Sequence, residues 1–206
     1  MKLYSASYAP NPRRVTMFLA EKGVADLETI MIALPDGEQA TPAFREKSPL
    51  GQVPVLALDD GRYLTESRAI CAYLETLYPA PNLLGDAPLE RAEIEMWDRR
   101  VELGLMLPLM HWVRHTHPAL AKVEKNQTPS VGAFYQAAAM RFAGFLDQEL
   151  SRRPWIAGDR FTIADITAAC GVDFAKLMKW RPGAQLPNLQ RWRDAFGERP
   201  AGKVPV

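Results

Sequence analysis

The stretch from residue 51 to residue 70, GQVPVLALDDGRYLTESRAI, decides the fold. An apolar segment begins at Pro54, and the turn pair Asp60-Gly61 and a short segment at 62–64 follow it, which is the pattern of a β-hairpin. Residues 67–77 then repeat apolar side chains at helical spacing. The stretch therefore predicts a strand, a turn, a second strand and a helix.

The residues before this hairpin follow a β-α-β pattern. We predict, in order, a strand at 3–7, a helix at 12–23, a strand at 27–34, a polar loop at 35–39 and a short helix at 41–47. Pro12 suits the first helical turn because its missing N–H would have no helical partner there.

The second half of the chain differs in kind from the first. Residues 79–86 are rich in proline and glycine and indicate a linker, and every later segment has helical periodicity. The sequence thus predicts an α/β domain at 1–78, a linker at 79–86 and an all-helical domain at 87–206.

Composition excludes several classes of function. The net charge of +1 gives no field that would attract nucleic acid or an anionic membrane. We find no signal peptide and no apolar run long enough for a membrane span, and the two cysteines, Cys71 and Cys170, have no metal-ligand spacing. We therefore expect a cytoplasmic protein with no metal, no nucleic-acid partner and no membrane partner.

Pro54 stands at the mouth of an apolar strand, where a residue without an N–H is tolerated. With a cis bond between Val53 and Pro54, the backbone of Val53 would be free to pair with an extended peptide. An ordinary trans proline at the strand edge is the alternative.

Glu66 and Ser67 open the helix that follows the hairpin. Such residues commonly cap a helix. Alternatively, the free N–H groups of the first turn, together with Ser67, bind a carboxylate while Glu66 holds an ammonium group. Those two groups together describe a γ-glutamyl head.

Four segments resemble the cytosolic glutathione transferases. These are YSASYAPNPRRVTMFLAEKGV, PAFREKSPLGQVPVLAL and LTESRAICAYLETLYP in the first half and RPWIAGDRFTIADITAAC in the second. Within that family the start of the chain resembles the bacterial Nu-like and fungal-type enzymes. The resemblance implies a thioredoxin-like N-terminal domain, an all-α C-terminal domain with a capping box of Thr162 and Asp165, and a homodimer.

The resemblance also implies roles for individual residues. Val53 and cis-Pro54, next to Gln52, would hold the cysteinyl part of glutathione. Glu66 and Ser67 would hold its γ-glutamyl end. Gln39 corresponds to a family position near the glycyl carboxylate.

The main departure from the family is Ala9, which stands where many classes carry a serine or a cysteine. Alanine cannot donate a hydrogen bond to the thiolate. Asn11 matches an asparagine that the Nu-like group places beside the glutathione sulfur, although it could instead cap the helix predicted to begin at Pro12. Ser7 and Tyr8 are the further candidates.

The three histidines lie within MHWVRHTHP, residues 110–118. His111 and His115 are four residues apart on one helix face, but no HExxH pattern accompanies them. We interpret Met110, His111 and His115 as part of a pocket for the second substrate, with simple interdomain core as the alternative.

The sequence therefore predicts a detoxifying transferase that joins glutathione to small apolar electrophiles. Two alternatives stay open. One is a glutathione-dependent disulfide-bond reductase or peroxidase, and the other is a non-catalytic binding protein with the same fold.

Overall fold

The structure, a computed structural model, describes residues 1–205 and divides into two compact units. The first unit consists of Met1–Pro81 with Val204 and Pro205, and the second is Asn82–Lys203. The division falls within residues 79–86. The segment from Asn82 belongs to the helical unit because the Asn82 side chain accepts the N–H of Gly85 at 2.6 Å and Arg160 donates to its backbone carbonyl at 2.5 Å. The expected helical domain thus starts earlier than residue 87, and it ends before Val204.

The first unit is a small mixed sheet with helices. Its elements are β1 (Lys2–Ser5), α1 (Pro10–Glu21), β2 (Glu28–Met31), α2 (Pro42–Arg45), β3 (Val55–Ala57), β4 (Tyr63–Leu64) and α3 (Ser67–Leu77). The strand order is β2-β1-β3-β4, with β1 parallel to β2 and the other pairs antiparallel. This arrangement confirms the α/β prediction for the N-terminal half.

The hairpin forms where the sequence predicts it. Leu56 pairs with Leu64 across the two strands. Gly61 adopts a φ of 86°, a value that glycine reaches without steric cost. The Asp60 carboxylate accepts the Arg62 N–H at 3.0 Å and closes the turn.

Helix α1 begins at Pro10, two residues before the predicted start. Proline is tolerated throughout the first helical turn, so both Pro10 and Pro12 fit there, and Ala9 becomes the residue before the helix. The same helix buries Val15 and Phe18 completely, and this apolar face fixes its position in the unit.

The second unit is helical, as predicted. Its helices are α4 (Pro88–Val101), α5 (Leu107–Thr116), α6 (Pro129–Leu150), α7 (Ile163–Ala175) and α8 (Pro187–Gly197). A π-helical turn at Glu102–Met106 joins α4 to α5. No helix within residues 1–205 combines the length and the apolar character needed to cross a bilayer.

Helix α7 forms the centre of this unit. Thr162 and Asp165 make the expected capping box at its N-terminus. Gly171 lets α7 approach the π-helical turn so closely that a Cβ there would lie 2.8 Å from the Met106 Cα. Nearly every residue of α7 is buried, which explains why its sequence is apolar on all sides.

Candidate active site

A cleft in the first unit brings together residues from three segments: the start of α1, the loop before β3 and the start of α3. The cleft is small, with a volume of about 40 Å³. Six of the sequence-predicted site residues line it, namely Asn11, Gln52, Val53, Pro54, Glu66 and Ser67. The fold therefore gathers into one place side chains that are more than fifty residues apart in the chain.

The loop before β3 presents an unpaired stretch of backbone to the cleft. The Val53-Pro54 bond is cis. Within residues 1–205 neither the N–H nor the C=O of Val53 has a hydrogen-bond partner, whereas the Gln52 N–H donates to the buried Ser48 hydroxyl at 3.0 Å. Val53 therefore offers one donor and one acceptor to an extended ligand.

Neither Glu66 nor Ser67 acts as a side-chain cap of α3. Glu66 occupies the cap position with a φ of 65°, its side chain makes no capping bond, and it is exposed at the cleft. A non-glycine residue in this region of φ costs free energy, and such residues concentrate at functional sites. Ser67 is 4% exposed, and its hydroxyl bonds to other elements rather than to α3.

The hydroxyl of Ser67 links α3 to α1. It accepts a hydrogen bond from the Arg14 guanidinium at 3.0 Å and donates to the Asn11 side-chain oxygen at 3.4 Å. Its own backbone N–H has no partner among the described residues and lies at the positive end of the α3 dipole. This start of α3 can therefore take a carboxylate.

Asn11 lies inside the first turn of α1 and does not cap it, because Ala9 holds the cap position. Pro10 and Pro12 have no N–H, and the Arg13 N–H donates to the Ala9 carbonyl at 3.1 Å. Among the described residues, the Asn11 N–H is thus the backbone donor in the first turn of α1 that has no hydrogen-bond partner. The interpretation of Asn11 as a helix cap is wrong, since the helix starts one residue before it.

Ser7 and Tyr8 do not line the cleft. Both are exposed, and the Ala9 N–H donates to the Ser7 carbonyl at 2.8 Å across Tyr8, whose φ is 64°. This is the geometry of a strained γ-turn. The turn uses the Ala9 N–H, which is then not available to a ligand.

Gln39 also lies outside the lining of the cleft, in a 3₁₀ turn at Glu38–Ala40. Its side-chain oxygen is buried and accepts no hydrogen bond from the described residues. A Cβ on Gly51, whose φ is 63°, would lie 2.8 Å from the Gln39 carbonyl oxygen. The loop of Gln39 is therefore held against the loop that carries the cleft.

Met110, His111 and His115 lie on α5 of the second unit. The His111 ring stacks on Tyr135 with 4.5 Å between centroids, and the His115 Nδ1 accepts the Thr128 N–H at 3.3 Å. Partial burial, followed by the charges of Arg114 and His115, lowers the pKa of His111. Both effects disfavour the protonated form of the His111 ring.

Metal-ligating side chains do not cluster in the described part of the chain. No group of three or more histidine, cysteine, aspartate or glutamate side chains is arranged to hold an ion. His111 and His115 make aromatic and backbone contacts instead.

Sequence reasoning missed some residues of this site. Ser48, Pro49, Leu50 and Thr65 also line the cleft, and Arg14 reaches Ser67 from the buried face of α1. Ser48 and Arg14 have no motif that marks them. Arg14 stands in an amphipathic helix, where an arginine usually belongs to the solvated face.

Two family models match the chain. The N-terminal domain of glutathione S-transferases matches residues 8–77, and the C-terminal domain of the same family matches residues 136–200. The first match includes every segment that lines the cleft.

Individual relatives agree with the family models. Glutathione S-transferase 2 of Saccharomyces cerevisiae is 36% identical over 205 residues, which cover 98% of this chain and 88% of that protein. The crystal structure of Gtt2 from Saccharomyces cerevisiae superimposes with a TM-score of 0.92 and covers 98% of this chain and 99% of its own. A class Gtt2 enzyme of Vibrio parahaemolyticus has a TM-score of 0.86 at 32% identity, covering 99% of this chain and 96% of its own.

A further relative has a different name. Elongation factor 1-gamma of Equus caballus is 30% identical over 154 residues, which are 74% of this chain and 33% of that longer protein. The two domain matches together and the full-length relatives decide the assignment: this chain belongs to the cytosolic glutathione S-transferase family.

Proposed function

We propose that the chain conjugates the thiolate of glutathione to small apolar electrophiles, with Asn11 as the group that stabilises the thiolate. The single observation that carries the proposal is the position of Asn11. It lies in the cleft with Val53 and Ser67, and it carries the unbonded N–H at the start of α1.

The γ-glutamyl end of glutathione fits the start of α3. A carboxylate there would accept the unbonded Ser67 N–H and gain from the helix dipole, while the exposed Glu66 side chain would pair with the ammonium group. In this proposal Val53 pairs with the cysteinyl residue in the manner of a short β-ladder, beside Gln52 and Pro54.

The glycyl end is assigned to Gln39. Its buried side-chain oxygen accepts no hydrogen bond within residues 1–205, so no other described residue holds the amide by that oxygen. Gln39 lies beside the loop of the cleft rather than in its lining, so we assign it the outermost contact of the proposed site.

The thiol needs stabilisation that the start of α1 can supply. Lowering a thiol pKa by about two units takes about 2.7 kcal/mol of preferential stabilisation of the anion. The helix terminus contributes about 0.3–1 kcal/mol and each hydrogen bond to a charged group about 1.5–3 kcal/mol. Asn11 offers its backbone N–H and its side-chain amide, which together meet this requirement.

We place the electrophile against Met110, His111 and His115. The flat stack of His111 on Tyr135 and the flexible Met110 side chain suit apolar and aromatic substrates. The lowered pKa of His111, caused first by its partial burial, favours the uncharged ring that such substrates need. Replacing Met110 by alanine should raise KM for the electrophile and leave KM for glutathione unchanged.

A homodimer is the second part of the proposal. Met96 on α4, Leu103 on the π-helical turn and Phe145 on α6 are between 39% and 55% exposed. Trp97, the neighbour of Met96 on α4, stacks on Phe145. A second copy of the chain would cover these exposed side chains. Leu103→Glu should convert a dimer into a monomer in light scattering.

The activity assay compares three variants with the wild type in the cytoplasmic pH range, where we expect the protein to act. Asn11→Ala should lower kcat/KM with chlorodinitrobenzene by at least tenfold, while Ser7→Ala and Tyr8→Phe, the matched controls outside the cleft, should stay near wild type. Full activity of Asn11→Ala would exclude our assignment.

A disulfide and a hydroperoxide substrate separate the alternatives, because the same thiolate serves all of these reactions. Faster turnover of either substrate than of chlorodinitrobenzene would favour a reductase or a peroxidase. Failure of the protein to bind a glutathione resin would favour a non-catalytic binding protein with the same fold.

A further inference from the structure

Two histidine rings close the segment between α5 and α6. We call this segment, residues 117–128, the α5–α6 loop. His115, near the end of α5, accepts the Thr128 N–H on Nδ1 at 3.3 Å. His117 accepts the Ala119 N–H on Nδ1 at 3.2 Å and caps the short 3₁₀ turn that follows it. The two rings therefore hold the beginning and the end of the loop.

The loop is in contact with both helices at this point. The side-chain amide of Gln127 donates to the carbonyl oxygens of Arg114 and His117, both at 2.8 Å. Near the start of α6, Gly132 lies so close to Thr116 that an added Cβ would collide with the Thr116 hydroxyl. Because α5 and α6 meet here, release of the loop would also loosen the start of α6.

Both rings act as acceptors, which defines their protonation state in the closed loop. An imidazole nitrogen accepts a hydrogen bond only when it carries no hydrogen, so each ring is neutral with its proton on Nε2. Protonation would place an N–H on Nδ1, pointing at the N–H of Thr128 or Ala119. Both hydrogen bonds would then be lost. Histidine is the side chain that commonly gains a proton between about pH 5 and 8.

The groups around the rings disfavour an added positive charge. The charged and titratable groups of the three segments are His111 and Arg114 on α5, Lys122, Glu124 and Lys125 in the loop, and Tyr135 on α6. Arg114 already pairs with Glu124 at 3.7 Å. The His111 ring lies 6.1 Å from the His115 ring, and after partial burial and Arg114 the charge of His115 is the next cause that lowers the pKa of His111. A proton on His115 is therefore opposed by its neighbours while the loop stays closed.

We infer that His115 and His117 form a pH-sensitive latch on the α5–α6 loop: as neutral rings they hold the loop closed, and when protonated they release it together with the start of α6. Met110, His111 and His115 carry the proposed site for the electrophile, so mild acid should weaken that site. This weakening rests on the proposed function, whereas the opening of the loop does not.

Hydrogen–deuterium exchange of residues 117–131 at pH 7.5 and pH 5.5, corrected for the intrinsic exchange rates, tests the latch directly. In the wild type, opening of the loop at pH 5.5 should increase by about two- to tenfold for each hydrogen bond that is lost. The β3–β4 hairpin contains no histidine and is the internal control, so its protection should not change.

Asparagine is the matched replacement for both histidines. Its side-chain oxygen accepts a backbone N–H at a similar distance from the chain and takes up no proton in this pH range. The double variant His115→Asn, His117→Asn should be as closed at pH 5.5 as at pH 7.5, and His117→Asn alone, the variant that decides if the double variant does not fold, should remove part of the response. Equal opening of the wild-type loop at both pH values would overturn the latch, and so would an asparagine variant that opens as much as the wild type.

The KM for chlorodinitrobenzene at saturating glutathione tests the consequence for the electrophile. From pH 7.5 to pH 5.5 it should rise about two- to fivefold in the wild type and stay nearly constant in the double variant. A constant KM in a wild type whose loop opens would support the latch and overturn the placement of the electrophile on α5. The activity of Asn11→Ala does not depend on the loop, so the role of Asn11 and the latch can fail separately.

Discussion

Asp165 offers the sharpest test of how the helical unit is held together. Its carboxylate is fully buried at the start of α7 and accepts from donors in three segments. Oδ1 accepts the Ile156 N–H at 3.0 Å and the Trp192 indole N–H at 2.8 Å. Oδ2 accepts the Thr162 N–H at 2.9 Å and lies 3.3 Å from the Thr162 hydroxyl.

Removing this carboxylate should be costly. Asp165→Ala leaves the N–H groups of Ile156, Thr162 and Trp192 buried without an acceptor, and each such group costs about 1–3 kcal/mol. With some relaxation of the loop we expect a loss of about 4 kcal/mol in the free energy of unfolding. Asp165→Asn keeps one acceptor oxygen, so its loss in the free energy of unfolding should be roughly half as large.

The pH dependence of this loss has a defined sign. Burial raises the pKa of Asp165 to about 6, against the hydrogen bonds that favour the ionised form. Because the folded pKa exceeds the unfolded one, the contribution of Asp165 is fully present below about pH 4 and declines as the pH rises through 6. The penalty for Asp165→Ala should therefore be about 1.3 kcal/mol larger at pH 5 than at pH 7.

Urea unfolding followed by far-ultraviolet circular dichroism at the two pH values measures both quantities. Asp159→Ala, a change at an exposed aspartate shortly before α7, is the matched control and should stay within about 0.5 kcal/mol of wild type. A penalty under about 1 kcal/mol for Asp165→Ala would refute the account of the hydrogen bonds. If Asp165→Ala lost less free energy of unfolding at pH 5 than at pH 7, the hydrogen bonds would lower the pKa of Asp165 by more than burial raises it.

Three further predictions concern the site and the packing that supports it. Glu66→Gln should raise Kd for glutathione about two- to fivefold in calorimetry, because an exposed ion pair contributes about 0.2–1 kcal/mol, and it should not affect a glutathione analogue without the amino group. Gly171→Ala should cost about 2–3 kcal/mol in urea unfolding because the new Cβ would lie 2.8 Å from the Met106 Cα. Gly144→Ala, where nothing lies within 4 Å, should instead gain about 0.5–1 kcal/mol, and equal effects of the two alanines would contradict the packing argument. Gly51→Ala should weaken retention on glutathione resin and lower the urea midpoint of unfolding. The φ of Gly51 is 63°, and an added Cβ would lie 2.8 Å from the Gln39 carbonyl oxygen, so both the backbone and the space oppose a side chain. A wild-type midpoint would contradict this prediction.

The sequence predicts the fold well where local chemistry and tertiary packing agree. The hairpin turn at Asp60-Gly61 and the helix at Ser67–Leu77 lie where the pattern puts them, because turn residues and apolar periodicity act locally. The start of α1 is misplaced, since proline is compatible with several positions of a first turn and only the packing of the helix selects Pro10.

The site is predictable in part for the same reason. Glu66 and Ser67 are recognisable at a helix start, but sequence spacing cannot show that the Ser67 hydroxyl turns away from its own helix towards α1. The hydrogen bond from Arg14 to Ser67 joins residues 53 positions apart, for which one sequence contains no signal. Local patterns therefore predict the backbone that lines the cleft better than the side-chain contacts around it.

Because Ala9 stands where many classes of the family carry a serine or a cysteine, the proposed function needs other groups to stabilise the thiolate. A serine or cysteine hydroxyl or thiol at that position would donate to the thiolate directly, whereas alanine leaves the task to the next groups along the chain. Pro10 and Pro12 have no N–H, and the Ala9 N–H is used in the γ-turn at Tyr8. Asn11 therefore remains, with both its backbone N–H and its side-chain amide. The dipole of α1 supplies at most about 1 kcal/mol of the roughly 2.7 kcal/mol that a two-unit shift requires. In the proposed function the remainder comes from Asn11, through hydrogen bonds from its backbone N–H and its side-chain amide to the thiolate.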